Sequence, residues 1–428
     1  MLARLDLRGF RGDLRSALGP RPSATVDPSV RDSVAEIIAD VRARGDAAVR
    51  DFTERYDGLH VDDLRVHKDE IQSALDTIDP DLRIALEFAR DQIASYHEGQ
   101  CEAESRHERA GVRIRELVLP VDRAGCYVPG GRAAYPSTVL MTALPARIAG
   151  VPSVVLCVPP DESGNPPAST LAAAALSGVD AVYRVGGAQA IAALAFGTET
   201  IEAVDVVVGP GNAYVAEAKR QLVGVVGIDS IAGPSELVVV ADDATDPRFA
   251  AADLLAQAEH GPGGRAVLVT WSERTADEVE SALEKMLSGT ARRDDAQATL
   301  ATGGRTILVD DAYGALDVSN ELAPEHLELM TDDAVSLVPL VRNAGAVFVG
   351  ECAPAVIGDY VAGVNHVLPT GTTARFASAL RVADFQKRVH VVSLDDAGLQ
   401  HVAPYATAIA DAEGLLAHGD ALRIREVP

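Results

Sequence analysis

From about residue 121 onward, short apolar runs alternate with helical stretches, and this alternation constrains the fold more than any other feature. "RAGCYVPGG" reads as a strand and turn, "STVLMTALPARIAG" as a helix and "SVVLCVPP" as a strand. "ASTLAAAALSG", "AVYRVGG", "AQAIAALAFGT", "AVDVVVGPG" and "NAYVAEAKRQLVG" continue the same rhythm. A second series begins at "SELVVVAD" and runs through "FAAADLLAQAEH", "RAVLVTW", "TADEVESALEKML", "RTILVD", "HLELMTD" and "AVFVGE". Short apolar strands separated by helices specify βαβ units on a parallel sheet. The expected fold class is α/β, with two parallel-sheet units.

The flanks read differently. Residues 1–25 are Arg-rich and form an arm, and residues 29–100 carry apolar residues at helical spacing, as in "VRDSVAEIIADVRARGDAAVRDFTERYD". Beyond about residue 382 the tail reads as short helices with no clear sheet. With 428 residues and 47% hydrophobic content, the chain has ample material for buried cores.

Charge and cysteine usage exclude several classes. A net charge of −25 argues against nucleic acid, whose phosphates need clustered Lys and Arg. It serves solubility, or draws a cationic substrate. No stretch of about 20 apolar residues is present, so no membrane span is expected. The N-terminus is too interrupted by charge for a secretory apolar region, and a cytoplasmic protein is expected. Cys101, Cys126, Cys157 and Cys352 are scattered, which argues against a disulfide framework and a cysteine-rich zinc site.

The candidate chemistry lies in a few clusters. The turns "YVPGGR", "VGGAQA" and "VGPGNAYV" fall where a parallel sheet binds ligands, at the carboxyl ends of its strands. The third resembles a dinucleotide turn, but Tyr214 stands at the last glycine position. Gln257 and His260 in "DLLAQAEHGPGG" share a helix face and could be half of a metal site, or a helix end with a capping histidine. "GDYVAGVNHVLPTG" offers Asp359 and His366 in an irregular segment, and "DAEGLLAHGDAL" offers Glu413 and His418. In "ELAPEHLELM", Glu325 and His326 are adjacent. Pro324 disfavours helix at the preceding residue, and a strand reading starts just after it, so the pair is expected at a corner where both side chains can face one site.

Taken in order, "GCYVPGG", "GGAQAIAALAFGT", "VGPGNAYV", "AGPSELVV", "DLLAQAEHGP", "APEHLEL", "GDYVAGVNHVLPT" and "EGLLAH" resemble the histidinol dehydrogenase family, over nearly the whole chain from about residue 30. The resemblance implies an NAD-linked, zinc-dependent oxidation of L-histidinol to L-histidine through the aldehyde. The implied fold is two Rossmann-like, incomplete dinucleotide-fold α/β domains with small helical N- and C-terminal segments. The expected division is an arm at 1–25, a first α/β domain from 26–126 and 237–381, a second, NAD-side domain at 127–236, and a C-terminal helical domain at 382–428. The implied zinc ligands are Gln257, His260, Asp359 and His418. The implied NAD contacts are Tyr127, Gln189 and Asn212. Substrate contacts would be Ser235, His326, His366 and Glu413 together with the metal ligands, with Glu325 and His326 as the catalytic acid–base pair. A homodimer with shared sites is implied, its tail reaching the partner subunit.

Other readings stay open from the residues alone. A zinc-dependent hydrolase would keep the metal and the Glu325–His326 pair without NAD. A two-lobed binding protein would use neither. A thiol route would use Cys126, though no base or helix N-terminus is evident beside it.

Overall fold

In a computed structural model, which describes residues 2–19, 27–130, 133–261 and 263–425, the two series build two parallel sheets. The last residues of the first glycine turn, Gly131 and Arg132, and the end of the expected N-terminal arm, residues 20–25, lie outside the described residues.

One sheet has five strands in the order Ala181–Arg184, Ser153–Val158, Arg123–Tyr127, Val206–Val208 and Gly227–Ile228. The other has six, in the order Ala3–Asp6, Gly304–Leu308, Arg265–Thr270, Glu236–Ala241, His326–Met330 and Ala346–Val349, all parallel. The central strands are covered on both faces, which is why they read as continuous apolar runs. A third, antiparallel sheet joins Gln386–Ser393 to Val112–Pro120 and Ser105–Arg109.

Helix starts follow a repeated signal. Asp27–Pro28, Asp79–Pro80 and Asp246–Pro247 each put an aspartate cap before a proline whose missing N–H costs nothing in the first turn. Helix Ala312–Leu322 ends at Ala323, which adopts φ 46°, and the strand begins at His326. Pro324 therefore separates helix from strand at the expected corner.

The packing departs from the expected division in three places. The arm contributes the strand Ala3–Asp6 to the edge of the six-stranded sheet, where it pairs with Gly304–Leu308. The helices between residues 28 and 98 bury Val34, Ile37, Leu86 and Ile93 in the cores of the five-stranded sheet, not the six-stranded one. The tail is not purely helical: Gln386–Ser393 forms eight residues of strand before helices Asp396–Ala412 and Leu416–Arg423.

Candidate functional site

Each parallel sheet reverses its strand order once. In the five-stranded sheet the reversal lies between Arg123–Tyr127 and Val206–Val208, and in the six-stranded sheet between Glu236–Ala241 and His326–Met330. Tyr127 and the 209–212 turn lie at the carboxyl edge of the first, the usual ligand position. At the second, Ser235, Glu236, Glu325 and His326 gather at the opposite, amino edge of the strands. Helix Pro247–Ala258 ends at that edge, and Gln257 lies in its last turn with His260 just beyond. The negative end of a helix dipole favours a cation there.

The corner at Pro324 brings Glu325 and His326, the expected acid–base pair, together. Glu325 and His326 are both buried, with Glu325 Oε2 3.5 Å from His326 Nδ1. Glu325 Oε2 accepts from the Ser235 hydroxyl at 2.6 Å and from the Glu236 N–H at 2.9 Å. His326 Nδ1 lies 3.2 Å from the Glu236 carbonyl oxygen. A carbonyl can only accept, so Nδ1 carries the proton and the neutral ring keeps its lone pair on Nε2. That Nε2 is buried, without a hydrogen-bond partner, and 3.8 Å from Asp359 Oδ1. Burial pushes the Glu325 carboxyl above the usual carboxylate range, against the pull of His326 and Ser235. Burial also pushes Glu236 up to about 7, with Arg265 opposing.

His366 joins the same group. Its Nδ1 lies 3.1 Å from the Asp359 carbonyl oxygen and its Nε2 3.1 Å from Thr138 Oγ1. Burial lowers its pKa; the charge of Asp359 opposes this, and those of His326 and His260 add to it. The structure thus brings Ser235, Gln257, Glu325, His326, Asp359 and His366 together, with His260 at the rim.

The Gln257 amide tests whether a metal fits. It is buried, its Oε1 3.3 Å from Ser235 Oγ and its Nε2 without a partner. The single Ser235 hydroxyl proton is committed to Glu325, so the amide serves this contact best when turned to donate from Nε2 to Ser235 Oγ. Its oxygen then takes the unpartnered place, where a cation can use it. The unpartnered amide position of Gln257 is the observation in this chain that suits such an ion. Among the described residues no group of three or more His, Cys, Asp or Glu side chains is placed to hold a metal ion by itself. His418 and Glu413 are exposed on the tail, where the last helix packs on Asp396–Ala412.

On the other sheet, the Tyr127 hydroxyl is buried and accepts from the Gly187 N–H at 3.1 Å, bracing the helix that carries the buried Gln189. Asn212 caps helix Ala213–Leu222, accepting from the Tyr214 and Val215 N–H groups. Cys126 is wholly buried, and burial pushes its thiol up to about 12, so it offers no thiolate near neutral pH. Sequence reasoning missed Glu236 and Thr138. A carboxylate opening an apolar buried strand, "ELVVVA", was the available signal for Glu236, whereas nothing local marks Thr138.

A family model described as "Histidinol dehydrogenase" matches residues 20–426. A histidinol dehydrogenase of Rhizobium meliloti is 49% identical over 403 residues, covering 94% of this chain and 93% of the relative. One of Gluconobacter oxydans is 48% identical over 430 residues, covering 99% of each. The crystal structure of histidinol dehydrogenase from Elizabethkingia anophelis superposes with a TM-score of 0.93 at 35% identity, covering 99% of this chain and 98% of that one.

Proposed function

We propose a division of labour among these residues from one premise: the chain belongs to the histidinol dehydrogenase family. The enzyme is an NAD-dependent oxidoreductase of histidine biosynthesis. The hydrolase and binding-protein readings give way to it. When bound, NAD supplies the hydride acceptor for each oxidation, and a zinc ion held by Gln257, His260, Asp359 and His418 supplies an anchor for the substrate's nitrogen donors.

The observation that carries the scheme is the bare, buried Nε2 of His326, with Nδ1–H committed to the Glu236 carbonyl. His326 takes the hydroxyl proton of L-histidinol as hydride leaves the carbon. Water then adds to the aldehyde, and Glu325 takes its proton; a carboxyl raised by burial is a stronger base than a free one. His326, its first proton released to water, removes a hydroxyl proton from the hydrate as the second hydride leaves, giving L-histidine. Ser235 holds the Glu325 carboxylate, and Ser235, His366 and Glu413 bind substrate with the metal ligands. Tyr127, Gln189 and Asn212 form the NAD side at the reversal of the five-stranded sheet.

The assembly is a homodimer whose tails exchange, so that Glu413 and His418 complete the partner subunit's site. Exposed apolar side chains along the tail support this: Val389 and Val392 on its strand, Tyr405, Ile409 and Leu416 on its helices. No helix among the described residues is long and apolar enough to cross a membrane, and the cytoplasm suits a biosynthetic enzyme that uses NAD. Absorbance at 340 nm tests the reading: zinc-loaded enzyme with NAD and L-histidinol yields two NADH per histidine. No NADH would end it.

A further inference from the structure

Lys219 is the one buried lysine among the described residues, and the reaction scheme gives it no task. It lies on helix Ala213–Leu222, and its ammonium donates to Asp229 Oδ1 at 2.6 Å and to the Gly209 carbonyl at 2.5 Å. The two charged side chains are 2% and 4% exposed. Asp229, just past strand Gly227–Ile228, accepts from the Gly209 N–H with Oδ2 at 2.7 Å. One ion pair therefore holds both peptide groups that flank the Gly209 α-carbon.

Gly209 is where such a hold has most effect. It sits at the strand-order reversal with φ +111°, and a Cβ there would lie 2.0 Å from the Tyr127 carbonyl oxygen. The turn is pressed onto the neighbouring strand, and its peptide planes have little freedom. Gly211 is packed as closely, since a Cβ there would lie 2.3 Å from Val215.

Burying two charges is costly, and a well-packed apolar pair of similar volume is often as stable. What the charges add is orientation. With its carbonyl drawn inward to an ammonium, the turn presents no Gly209 lone pair to an anionic ligand. The positive end of helix Ala213–Leu222, where Asn212 caps the Tyr214 and Val215 N–H groups, lies on that side.

We propose that Lys219 and Asp229 are positioning residues for the dinucleotide: they set the Gly209–Asn212 turn so that it receives the pyrophosphate, and they act on NAD affinity without touching histidinol. This rests on the reading of that turn as part of the NAD side.

The test is a split between two affinities in the full-length zinc-loaded enzyme. Lys219→Met is expected to weaken NAD binding about tenfold or more, by the cost of a displaced binding group, with histidinol affinity within about twofold of the parent. Asp229→Asn keeps the side-chain shape and removes the charge; it gives the same split to a smaller degree and serves if Lys219→Met does not fold. Unchanged NAD affinity, or equal loss for both ligands, overturns the proposal. Hydrogen exchange of the parent enzyme with and without NAD separates the underlying reading. If NAD slows exchange in residues 206–222 while the variants bind NAD normally, the turn is the NAD side and the proposed role of the pair is wrong. If NAD protects other segments only, the reading of the turn fails, and the proposal with it.

Discussion

A histidine is ready to act as a base when one ring nitrogen is committed as a donor and the other is left bare, and His326 meets that condition. Glu325 beside it is tied to Ser235 and Glu236, so it stays in place when His326 gains a proton. In the proposed scheme the two serve different steps. Glu325→Gln should leave oxidation of histidinol to the aldehyde nearly intact and slow histidine formation from the aldehyde by about 100-fold or more, the usual worth of a general base. Single-turnover NADH formation from histidinol and from histidinaldehyde measures the two separately, and equal slowing of both would rule out the division. Glu236 gives a prediction in pH. Burial raises it from 4.5 to about 7, so the folded protein keeps a proton that the unfolded chain releases above about pH 4.5. Stability therefore falls as pH rises from about 4.5 to about 7, and is flat in this term above that. Glu236→Gln cannot titrate and should remove that share of the slope, on the order of 3 kcal/mol. Melting temperatures of parent and variant between pH 4.5 and 8 should converge at the acid end and diverge toward pH 7, with the variant higher.

At the scale of elements, strand His326–Met330 ties the site together. Glu328 is buried in its middle, accepts from the Ala355 N–H at 2.6 Å and lies against Asp253. Ala355 opens the short helix that carries Asp359, and Asp253 lies on the helix that carries Gln257. Burial pushes both carboxyls upward, and the charge of Asp253 raises Glu328 further, so the pair retains a proton. Glu328→Gln preserves the bond to Ala355 and should hold metal as the parent does. Glu328→Leu frees the Asp359 helix and should lose metal to a chelator about tenfold faster, the usual weight of a supporting partner. Equal metal loss in both variants would refute this. The corner at Pro324 was legible because proline restricts the residue before it, and the βα rhythm because buried strands leave apolar runs. The edge of the six-stranded sheet on which the site lies was not legible, since it depends on where helices of different parts of the chain end. Strand Ala3–Asp6 was hidden too: four residues, largely exposed and two of them charged, carry no strand pattern and gain their ladder only from Gly304–Leu308.

At the scale of the molecule, the order of eight motifs made the family legible, while the tail's place was not. Gln386–Ser393 is largely exposed, so no buried face marked it as a strand, and its partner Val112–Pro120 is far away in sequence. This sheet and the two tail helices form an annex that carries Glu413 and His418 away from the six-stranded sheet's own contacts. If the tail completes the partner's site, the two defects His326→Ala and His418→Ala fall in the same site of a mixed dimer. A dimer with one subunit of each kind then has one site that lacks both groups and one that lacks neither. Random pairing makes half the dimers mixed, so the mixture should recover about a quarter of parent activity, although each variant alone is inactive. If each tail served its own subunit, every site would lack one group and the mixture would stay inactive. Co-expression with two affinity tags isolates the mixed dimer, whose activity should be about half that of the parent, and the NADH rate of that species decides between exchange and self-service.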